Sequence, residues 1–142
     1  MLTKRWNIGF SLIEIIVVIS IITTLSGIGF TAYAKYSQRA NDDRRMLDVA
    51  ILQEALGRYH SNQIGGFYPL NLNELVTGGY LDKRPIDPLT DQQDDYQYAP
   101  LPAGCNNLAG NFCTNYLIVV DLETKGDRYE AGSKDLRGTI IP

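Results

Sequence analysis

The chain has 142 residues, of which 44% are hydrophobic and 20% charged, and this size and composition exclude a large multidomain enzyme. Its 13 basic and 16 acidic residues give a net charge of -3 and a pI near 5.0. Affinity for nucleic-acid phosphate comes from clustered lysine and arginine, so this balance argues against a general nucleic-acid binder, and no specific nucleic-acid partner is predicted.

The N-terminal part of the chain is a short basic segment followed by an apolar run. Lys4 and Arg5 precede the run, which extends from Phe10 to Phe30 and has Glu14 as its single charge. As an α-helix the run would measure about 31 Å, close to the roughly 30 Å hydrocarbon core of a bilayer. It is too long for a signal-peptide core, and no small-residue cleavage site follows it. We expect one membrane span, with the basic end in the cytoplasm and the remainder outside.

Helical character is predicted to continue beyond the apolar run, because residues 31–60 contain no proline. Apolar side chains recur there every four residues, with two more widening the stripe. These are Leu47, Ile51, Ala55 and Tyr59, together with Leu52 and Leu56. A single helix from Phe10 to about His60 would be on the order of 75 Å long. Its outer half needs a partner for the apolar stripe.

Two further features of this helix are predicted from its polar and small residues. Gly27 and Gly29 lower its local stability by about 1 kcal/mol each relative to alanine, which marks a flexible point. Basic and acidic residues alternate just before the stripe, and we interpret them as a solvated helix face. They are Arg39, Arg44 and Arg45 with Asp42, Asp43 and Asp48.

The remainder of the chain predicts a small α+β head. Residues 61–66 break the long helix, and Asn71 with Glu74 forms a variant capping box for a short helix that Gly78 or Gly79 ends. Prolines then forbid long helices. Strands are predicted around Tyr96 and Tyr98, over residues 116–120 and, more weakly, over residues 128–131. The expected fold is a lollipop, in which one long N-terminal helix packs on a small antiparallel sheet of about three strands.

Glu14 indicates a functional site, because a carboxylate near the centre of a bilayer costs about 2.5 kcal/mol or more. Snorkelling to the cytoplasmic edge is the alternative explanation for it. However, the carboxylate belongs to a longer pattern. The sequence from Gly9 through Phe10 and Ser11 to Glu14 follows a basic leader and precedes an aliphatic span.

This pattern resembles the processing signature of type IV prepilins and of the prepseudopilins of type II secretion. The resemblance implies that a prepilin peptidase, which is also an N-methyltransferase, cuts between Gly9 and Phe10 and methylates the new amino group of Phe10. It divides the chain into a leader at 1–9, a transmembrane and filament-core half of the helix at 10–34, and a globular head at 35–142 that includes the amphipathic half of the helix.

The resemblance also implies a function and its partners. The protein would be stored in the bacterial inner membrane as a single-pass precursor in the lipid bilayer. An assembly platform and an ATPase would then polymerise it, as a fimbrial or pseudopilus subunit, into a helical homo-oligomeric filament outside the membrane. The ammonium group of Phe10 on one subunit would pair with Glu14 on a neighbour. The chain itself would not be an enzyme, and whether the filament is a pilus or a pseudopilus is left open.

A second resemblance, to the globular domains of major pseudopilins and small pilins, covers the segment between Tyr68 and Tyr98. It rests on Tyr68, Pro69, Leu75, Gly79, Tyr80, Leu81, Pro85, Asp87, Pro88, Tyr96 and Tyr98. Tyr80, Tyr96 and Tyr98 are expected to pack on the long helix. The chain departs from many pilins in having Thr31 where they have a proline.

Calcium is a candidate cofactor on two acidic segments, although solvated surface acids are the alternative in both. One segment has hard oxygen ligands suited to calcium, at Asp87, Asp91, Asp94 and Asp95. Major pseudopilins commonly bind calcium through a C-terminal acidic loop, which this chain matches poorly. Its acids there are Asp121, Glu123, Asp127 and Asp135.

The two cysteines, Cys105 and Cys113, close a short loop if they are paired. An exported head favours a disulfide over two free thiols. No nucleophile elbow, phosphate-binding loop or acid–base constellation is present in the sequence. The competing class is nevertheless a single-pass, membrane-anchored extracytoplasmic enzyme or binding module that is neither processed nor polymerised.

Overall fold

The computed structural model describes residues 11–93, 95–124, 126–133 and 139–141. Contacts within the chain divide it into two units, Met1–Ser37 and Gln38–Pro142. The predicted α+β class is confirmed: one long N-terminal helix is followed by a small antiparallel sheet.

The long helix, α1, extends over Leu12–Asn62 without interruption. Its end, two residues beyond His60, agrees with the predicted break, whereas its predicted start at Phe10 lies outside the described residues. Gly27 lies within the helix, and nothing lies within 4 Å of the position its Cβ would take. The helix contains no proline, so its backbone hydrogen-bond ladder is uninterrupted by that residue.

In the second unit, the buried face of α1 differs from the predicted stripe. Leu52, Leu56 and Tyr59 are buried as expected, but Leu47 is 61% and Ile51 41% exposed. A strict four-residue spacing advances about 400° per step, so it drifts around the helix by about 40° each time. Spacings that alternate between three and four residues stay on one side. The buried positions follow them: Asp42, Arg45, Val49, Leu52, Leu56 and Tyr59.

The sheet has four strands, not the predicted three or so, in the order β1-β2-β3-β4. They are β1 (Gln97–Leu101), β2 (Asn115–Asp121), β3 (Arg128–Gly132) and β4 (Thr139–Ile141). All neighbours are antiparallel, with Ile118 of β2 opposite Tyr98 of β1 and Ala131 of β3. The fourth strand has only three residues, too few for an alternating pattern to be visible in the sequence. Pro100 lies in β1, at one edge of the sheet.

The head core lies between the sheet and the second half of α1. Residues alternate along β2, where Tyr116, Ile118 and Val120 are buried and the residues between them are half-buried. These side chains belong to the same buried cluster as Val49, Leu52, Ala55 and Leu56 of α1. The helix therefore covers one face of the sheet, as the sequence predicted.

The short helix α2 (Asn73–Thr77) has a variant of the predicted capping arrangement. The Oδ1 of Asn71 accepts a hydrogen bond from the backbone N–H of Asn73 at 3.0 Å, while Oε1 of Glu74 accepts one from the N–H of Leu70 at 3.1 Å. The N-cap residue itself is Leu72, which makes no side-chain cap. Gly79 follows with φ of 72°, a conformation that favours glycine.

Two of the three tyrosines expected on the long helix reach it. Tyr80 packs edge-on against Tyr59 of α1, with ring centroids 5.3 Å apart, and the Tyr96 hydroxyl donates to the Asp48 carboxylate at 2.7 Å. Tyr98 instead donates to the carbonyl oxygen of Pro69 at 2.7 Å and stacks on Tyr116. Burial, reinforced by the nearby Glu74 carboxylate, raises the pKa of Tyr59 to about 12.

The corrected helix face is tested by two leucines of α1 that differ in exposure. We expect Leu52→Ala to lower the free energy of unfolding by about 2 to 5 kcal/mol, because it leaves a cavity at a position with no exposed surface. Leu47→Ala, at an exposed position, is expected to change it by about 0.5 kcal/mol or less. Urea unfolding of the detergent-solubilised full chain, followed by near-ultraviolet circular dichroism, measures both. Equal losses for the two variants would contradict the assignment.

Candidate functional site

Of the residues predicted for processing and assembly, Gly9 and Phe10 lie outside the described residues, and Glu14 lies within them. Glu14 is in the first turn of α1, where its N–H donates to the carbonyl oxygen of Ser11 at 3.0 Å. Its side chain is exposed, and within the described chain no side chain bonds to its carboxylate. Any ionic partner of Glu14 therefore belongs to residues outside the described ones or to another molecule.

Glu14 lies on a stretch of helix in the first unit whose apolar side chains are exposed to solvent. Each is between 44% and 77% exposed. They are Leu12, Ile13, Ile15, Ile16, Val17, Val18, Ile19, Ile21, Ile22, Leu25 and Phe30. In the described part of the chain, α1 is the one helix long and apolar enough to cross a membrane. An exposed surface of this kind requires either lipid or other protein around it.

Three hydroxyl side chains of this stretch are hydrogen-bonded within the helix itself. The Ser20 hydroxyl donates to the carbonyl oxygen of Ile16 at 2.7 Å, and the Thr24 hydroxyl donates to that of Ser20 at 2.8 Å. Thr23 donates to the carbonyl oxygen of Ile19 at 2.9 Å. Hydroxyls bonded in this way need no partner from water, so they are compatible with an apolar environment. Glu14 has no equivalent internal bond among the described residues.

The second unit contains a buried ionic cluster centred on Arg45. Its guanidinium binds Asp87 through two bonds, with Nε 2.5 Å from Oδ2 and Nη2 3.0 Å from Oδ1. Nη1 lies 3.2 Å from Oδ1 of Asp42 and 3.3 Å from Oε1 of Glu123. The side chains of Arg45 and Asp87 are only 6% and 1% exposed. The cluster joins α1 to the loop at residues 87–90 and to the loop after β2.

Both aspartates of the cluster also hold backbone groups in place. Asp87 Oδ1 accepts hydrogen bonds from the N–H groups of Leu89 at 2.8 Å and Thr90 at 3.0 Å. Asp42 accepts them from the N–H groups of Glu123 at 2.7 Å and Thr124 at 2.9 Å, and from the Thr124 hydroxyl. Among the described residues no buried side-chain nitrogen or oxygen is without a hydrogen-bond partner. The charged groups of the cluster are thus all hydrogen-bonded.

These bonds set the protonation of the cluster. The Arg45 guanidinium lowers the pKa of Asp87 to about 2, against the opposing effect of burial. Burial raises the pKa of Asp42, but hydrogen bonds from Thr124 and Glu123 outweigh it, so the pKa lies below its ordinary value. The bond to Asp87 raises the pKa of Arg45. All three groups are charged at neutral pH.

The cluster corrects the interpretation of the charged segment of α1 as a solvated face. That interpretation is right for Arg39, Asp43 and Arg44, which are exposed, but wrong for Asp42 and Arg45, which are 5% exposed. Asp48 is half-buried and accepts a hydrogen bond from the Tyr96 hydroxyl. The partner that buries Arg45 is 42 residues away in the sequence. A local signal for the structural role of Asp87 is its place in a proline-containing turn, because an aspartate in a turn often accepts a hydrogen bond from the backbone N–H two residues on.

The first group of calcium candidates is engaged in other contacts or exposed. Asp87 is bonded to Arg45, Asp91 is exposed with φ of 57°, and Asp95 accepts a hydrogen bond from Thr90. Asp94 lies outside the described residues. In the described part of the chain, no group of three or more His, Cys, Asp or Glu side chains is arranged to hold a metal ion.

The second group of calcium candidates is likewise engaged in other contacts. Asp121 pairs with Arg128 at 3.2 Å on the surface, and Glu123 contacts Arg45 and accepts a hydrogen bond from Asn41. Asp127 donates its backbone N–H to Thr124. Asp135 lies outside the described residues.

The predicted disulfide is present between Cys105 and Cys113, whose Cα atoms are 5.2 Å apart. The loop that it closes is docked on the head by Asn107, which donates from Nδ2 to the carbonyl oxygen of Tyr68 at 2.8 Å. Oδ1 of the same residue accepts a hydrogen bond from the N–H of Cys113 at 2.9 Å. The loop is therefore fixed to the core by both a covalent and a polar link.

A surface groove of about 720 Å³ lies between the end of α1 and the turn after α2. Its charged lining residues are Glu54 and Arg58, and Arg58 donates to the carbonyl oxygen of Tyr80 at 2.7 Å. The Ser61 hydroxyl in the groove donates to the carbonyl oxygen of Gly57 at 2.9 Å. The Ser61 hydroxyl is therefore bonded to the backbone of its own helix, and it is not placed as a nucleophile beside a base.

Comparison with known proteins gives no relative: no family model matches the chain, and neither the curated proteins nor the solved structures that were searched contain a match.

The ionic cluster makes Asp87 a sensitive position. We expect Asp87→Ala to lower the free energy of unfolding by about 3 to 5 kcal/mol, because it leaves the Arg45 guanidinium buried without its two-bonded partner. Asp82→Ala is the matched control, since Asp82 is exposed on the same connecting segment. Urea unfolding of the full chain in detergent measures both variants. Loss of the same size in Asp82→Ala, or no loss in Asp87→Ala, would refute the role of the cluster.

The same cluster predicts an acid-sensitive head. The pKa of Asp87 falls from an ordinary 3.8 to about 2 on folding, so its stabilising effect is complete above about pH 5. It is lost as the pH falls from about 4 to about 2, and it amounts to about 2 kcal/mol. Urea unfolding at a series of pH values measures this loss. In Asp87→Asn the acid dependence should be smaller by that amount, and an unchanged dependence would contradict the prediction.

Proposed function

We propose that the chain is a structural subunit of a type IV pilus or of a type II secretion pseudopilus. It is made as an inner-membrane precursor, cleaved after Gly9, N-methylated at Phe10 and polymerised through its N-terminal helix. The observation that carries the proposal is the uncovered apolar stretch of α1, on which Glu14 is the single charge and has no partner in the described chain.

Glu14 supports assembly because of where it stands relative to the proposed cleavage site. Cleavage after Gly9 creates a cationic amino group on Phe10, about one helical turn from Glu14 along the helix. Between neighbouring copies, that ammonium group and the carboxylate can form an ion pair in an apolar environment. Such a pair fixes the axial position of one subunit against the next, because a shifted subunit leaves two buried charges unpaired.

The head supports the same proposal because its core is formed without residues of the uncovered apolar stretch of α1. Its helix half, its strands β2 and β3 and its disulfide form one core, and the buried polar side chains in the described residues are all hydrogen-bonded. A head of this kind needs nothing from the uncovered stretch of α1 to remain folded. The stretch is then available to lipid in the stored precursor and to neighbouring helices in a filament. The disulfide suits a head outside the cytoplasm.

The proposal is tested by comparing Glu14→Ala with Glu54→Ala, a change of an exposed carboxylate in the head half of the same helix. We expect Glu14→Ala to be cleaved but to yield filaments reduced about 100-fold or more, since loss of one partner of a buried ion pair costs about 3 kcal/mol or more. Glu54→Ala should assemble normally. Filaments sheared from cells and quantified by immunoblot give the readout.

Intact mass of the membrane-extracted protein completes this test. Processing predicts loss of residues 1–9 and gain of one methyl group, and Gly9→Leu should leave the full precursor. A full-length, unmethylated wild-type chain would favour the membrane-anchored enzyme or binding module. Normal filaments in both Gly9→Leu and Glu14→Ala would refute the proposal. Long surface filaments would indicate a pilus, whereas their absence together with a secretion defect would indicate a pseudopilus.

A further inference from the structure

Three aromatic side chains lie at the end of the apolar stretch of α1 and just beyond it, and they are among the most exposed in the first unit. Phe30 is 77%, Tyr33 71% and Tyr36 72% exposed. Residues three apart on an α-helix are separated by about 60° around its axis, so the three lie within about 120° of one another. Within the described chain, neither tyrosine has a ring contact or a hydroxyl hydrogen bond. We call Phe30, Tyr33 and Tyr36 the aromatic belt.

We infer that the aromatic belt, with Lys35, binds the headgroup layer of the phospholipid bilayer and sets the depth of α1 in the membrane. This inference rests on the membrane-stored precursor of the proposed function. Tyrosine has an apolar ring and a polar tip, and it is favoured where hydrocarbon meets water. A tyrosine ring kept wholly in water gains nothing from its apolar surface, and one in hydrocarbon leaves its hydroxyl unsatisfied.

The distance along the helix supports this assignment. Glu14 and Tyr33 are separated by about 28 Å of helix at 1.5 Å per residue, which is close to the roughly 30 Å hydrocarbon core. When the Tyr33 hydroxyl is at the outer edge of the hydrocarbon, the Glu14 carboxylate is therefore at the inner edge. The apolar stretch between them carries hydroxyls that are bonded internally. The two polar ends of the stretch fit the two surfaces of one bilayer.

The positive charge around the aromatic belt favours phospholipid as its binding partner. No acidic residue occurs between Glu14 and Asp42, and Lys35 is exposed between the two tyrosines with no acidic partner in the described chain. A lysine ammonium on a flexible stem can reach the phosphate groups of either zwitterionic or anionic lipids. A second copy would present the same cation to it, so like charges would meet where identical segments came together. Lipid phosphate is the complementary surface.

The consequence is that Tyr33 and Tyr36 are positioning residues for Glu14. They hold the far end of the helix at the outer surface, and because α1 is continuous from Leu12 through Tyr36, the Glu14 carboxylate is kept at the inner surface. Without them, the apolar stretch can slide or tilt, since Ala32 and Ala34 beside Tyr33 offer no fixed depth.

The test uses the full chain with Trp6→Phe, which removes the one native tryptophan. Single reporters are then introduced as Ile19→Trp, Tyr33→Trp or Leu47→Trp. Each protein is reconstituted in vesicles of phosphatidylcholine and phosphatidylglycerol at a low protein-to-lipid ratio. Phosphatidylcholines brominated at shallow or deep acyl positions quench tryptophan according to its depth. Circular dichroism checks that each variant retains its helix.

We expect deep bromines to quench Ile19→Trp most, shallow bromines to quench Tyr33→Trp most, and neither to quench Leu47→Trp. Adding Tyr33→Ser and Tyr36→Ser should change the ratio of shallow to deep quenching of Ile19→Trp by about twofold or more, since the helix loses its fixed depth. The matched control is Leu47→Ser with Ile51→Ser, two exposed apolar residues of the head, and it should leave the ratio unchanged.

The possible results separate this inference from the proposed function. If none of the reporters is quenched, the membrane-stored precursor is refuted, and the inference falls with it. If Ile19→Trp is quenched but Tyr33→Trp behaves as Leu47→Trp does, or is quenched most by deep bromines, only the belt is refuted. An unchanged Ile19→Trp ratio after loss of both tyrosines also overturns it. Quenching of Tyr33→Trp that vanishes at higher protein density would assign the belt to a second copy instead.

Discussion

The head depends above all on the paired bonds between Arg45 and Asp87. Asp87 accepts two bonds from the guanidinium and two from the backbone of its own loop, so a single carboxylate attaches that loop to α1. The same guanidinium reaches Asp42 and Glu123, which attach the loop after β2. Taking these charges out of water is costly, and only complete bonding offsets it. The helix, the connecting segment and the sheet are therefore held in one arrangement.

The sequence predicted the elements of this head better than its contacts. The two helices and three of the strands were visible because apolar spacing, prolines and glycines act over a few residues. The fourth strand was missed because three residues carry no pattern. Leu47 and Ile51 were placed on the wrong side because a four-residue spacing fits two neighbouring helix faces almost equally well.

The ionic cluster could not be predicted, because its members are distant in the sequence and each resembles a surface residue. Arg45 stands among charged neighbours that are exposed, and Asp87 stands in a segment rich in acids. Nothing local distinguishes a solvated arginine from one that folding buries against a distant carboxylate. For Glu14 the opposite holds. A lone acid in an apolar run is conspicuous without any knowledge of tertiary structure, so the candidate assembly residue was evident from the sequence.

The edges of the sheet have a consequence for a protein that would be stored at high density. Edge strands present unpaired backbone groups on which a second chain can add a strand, and this is a common origin of aggregation. Here β1 carries Pro100, which has no N–H to offer, and β4 has only three residues. Crowded heads can therefore collide without exchanging strands. Ordered polymerisation through one surface requires that the other surfaces do not self-associate nonspecifically. These two edge strands reduce one route to such association.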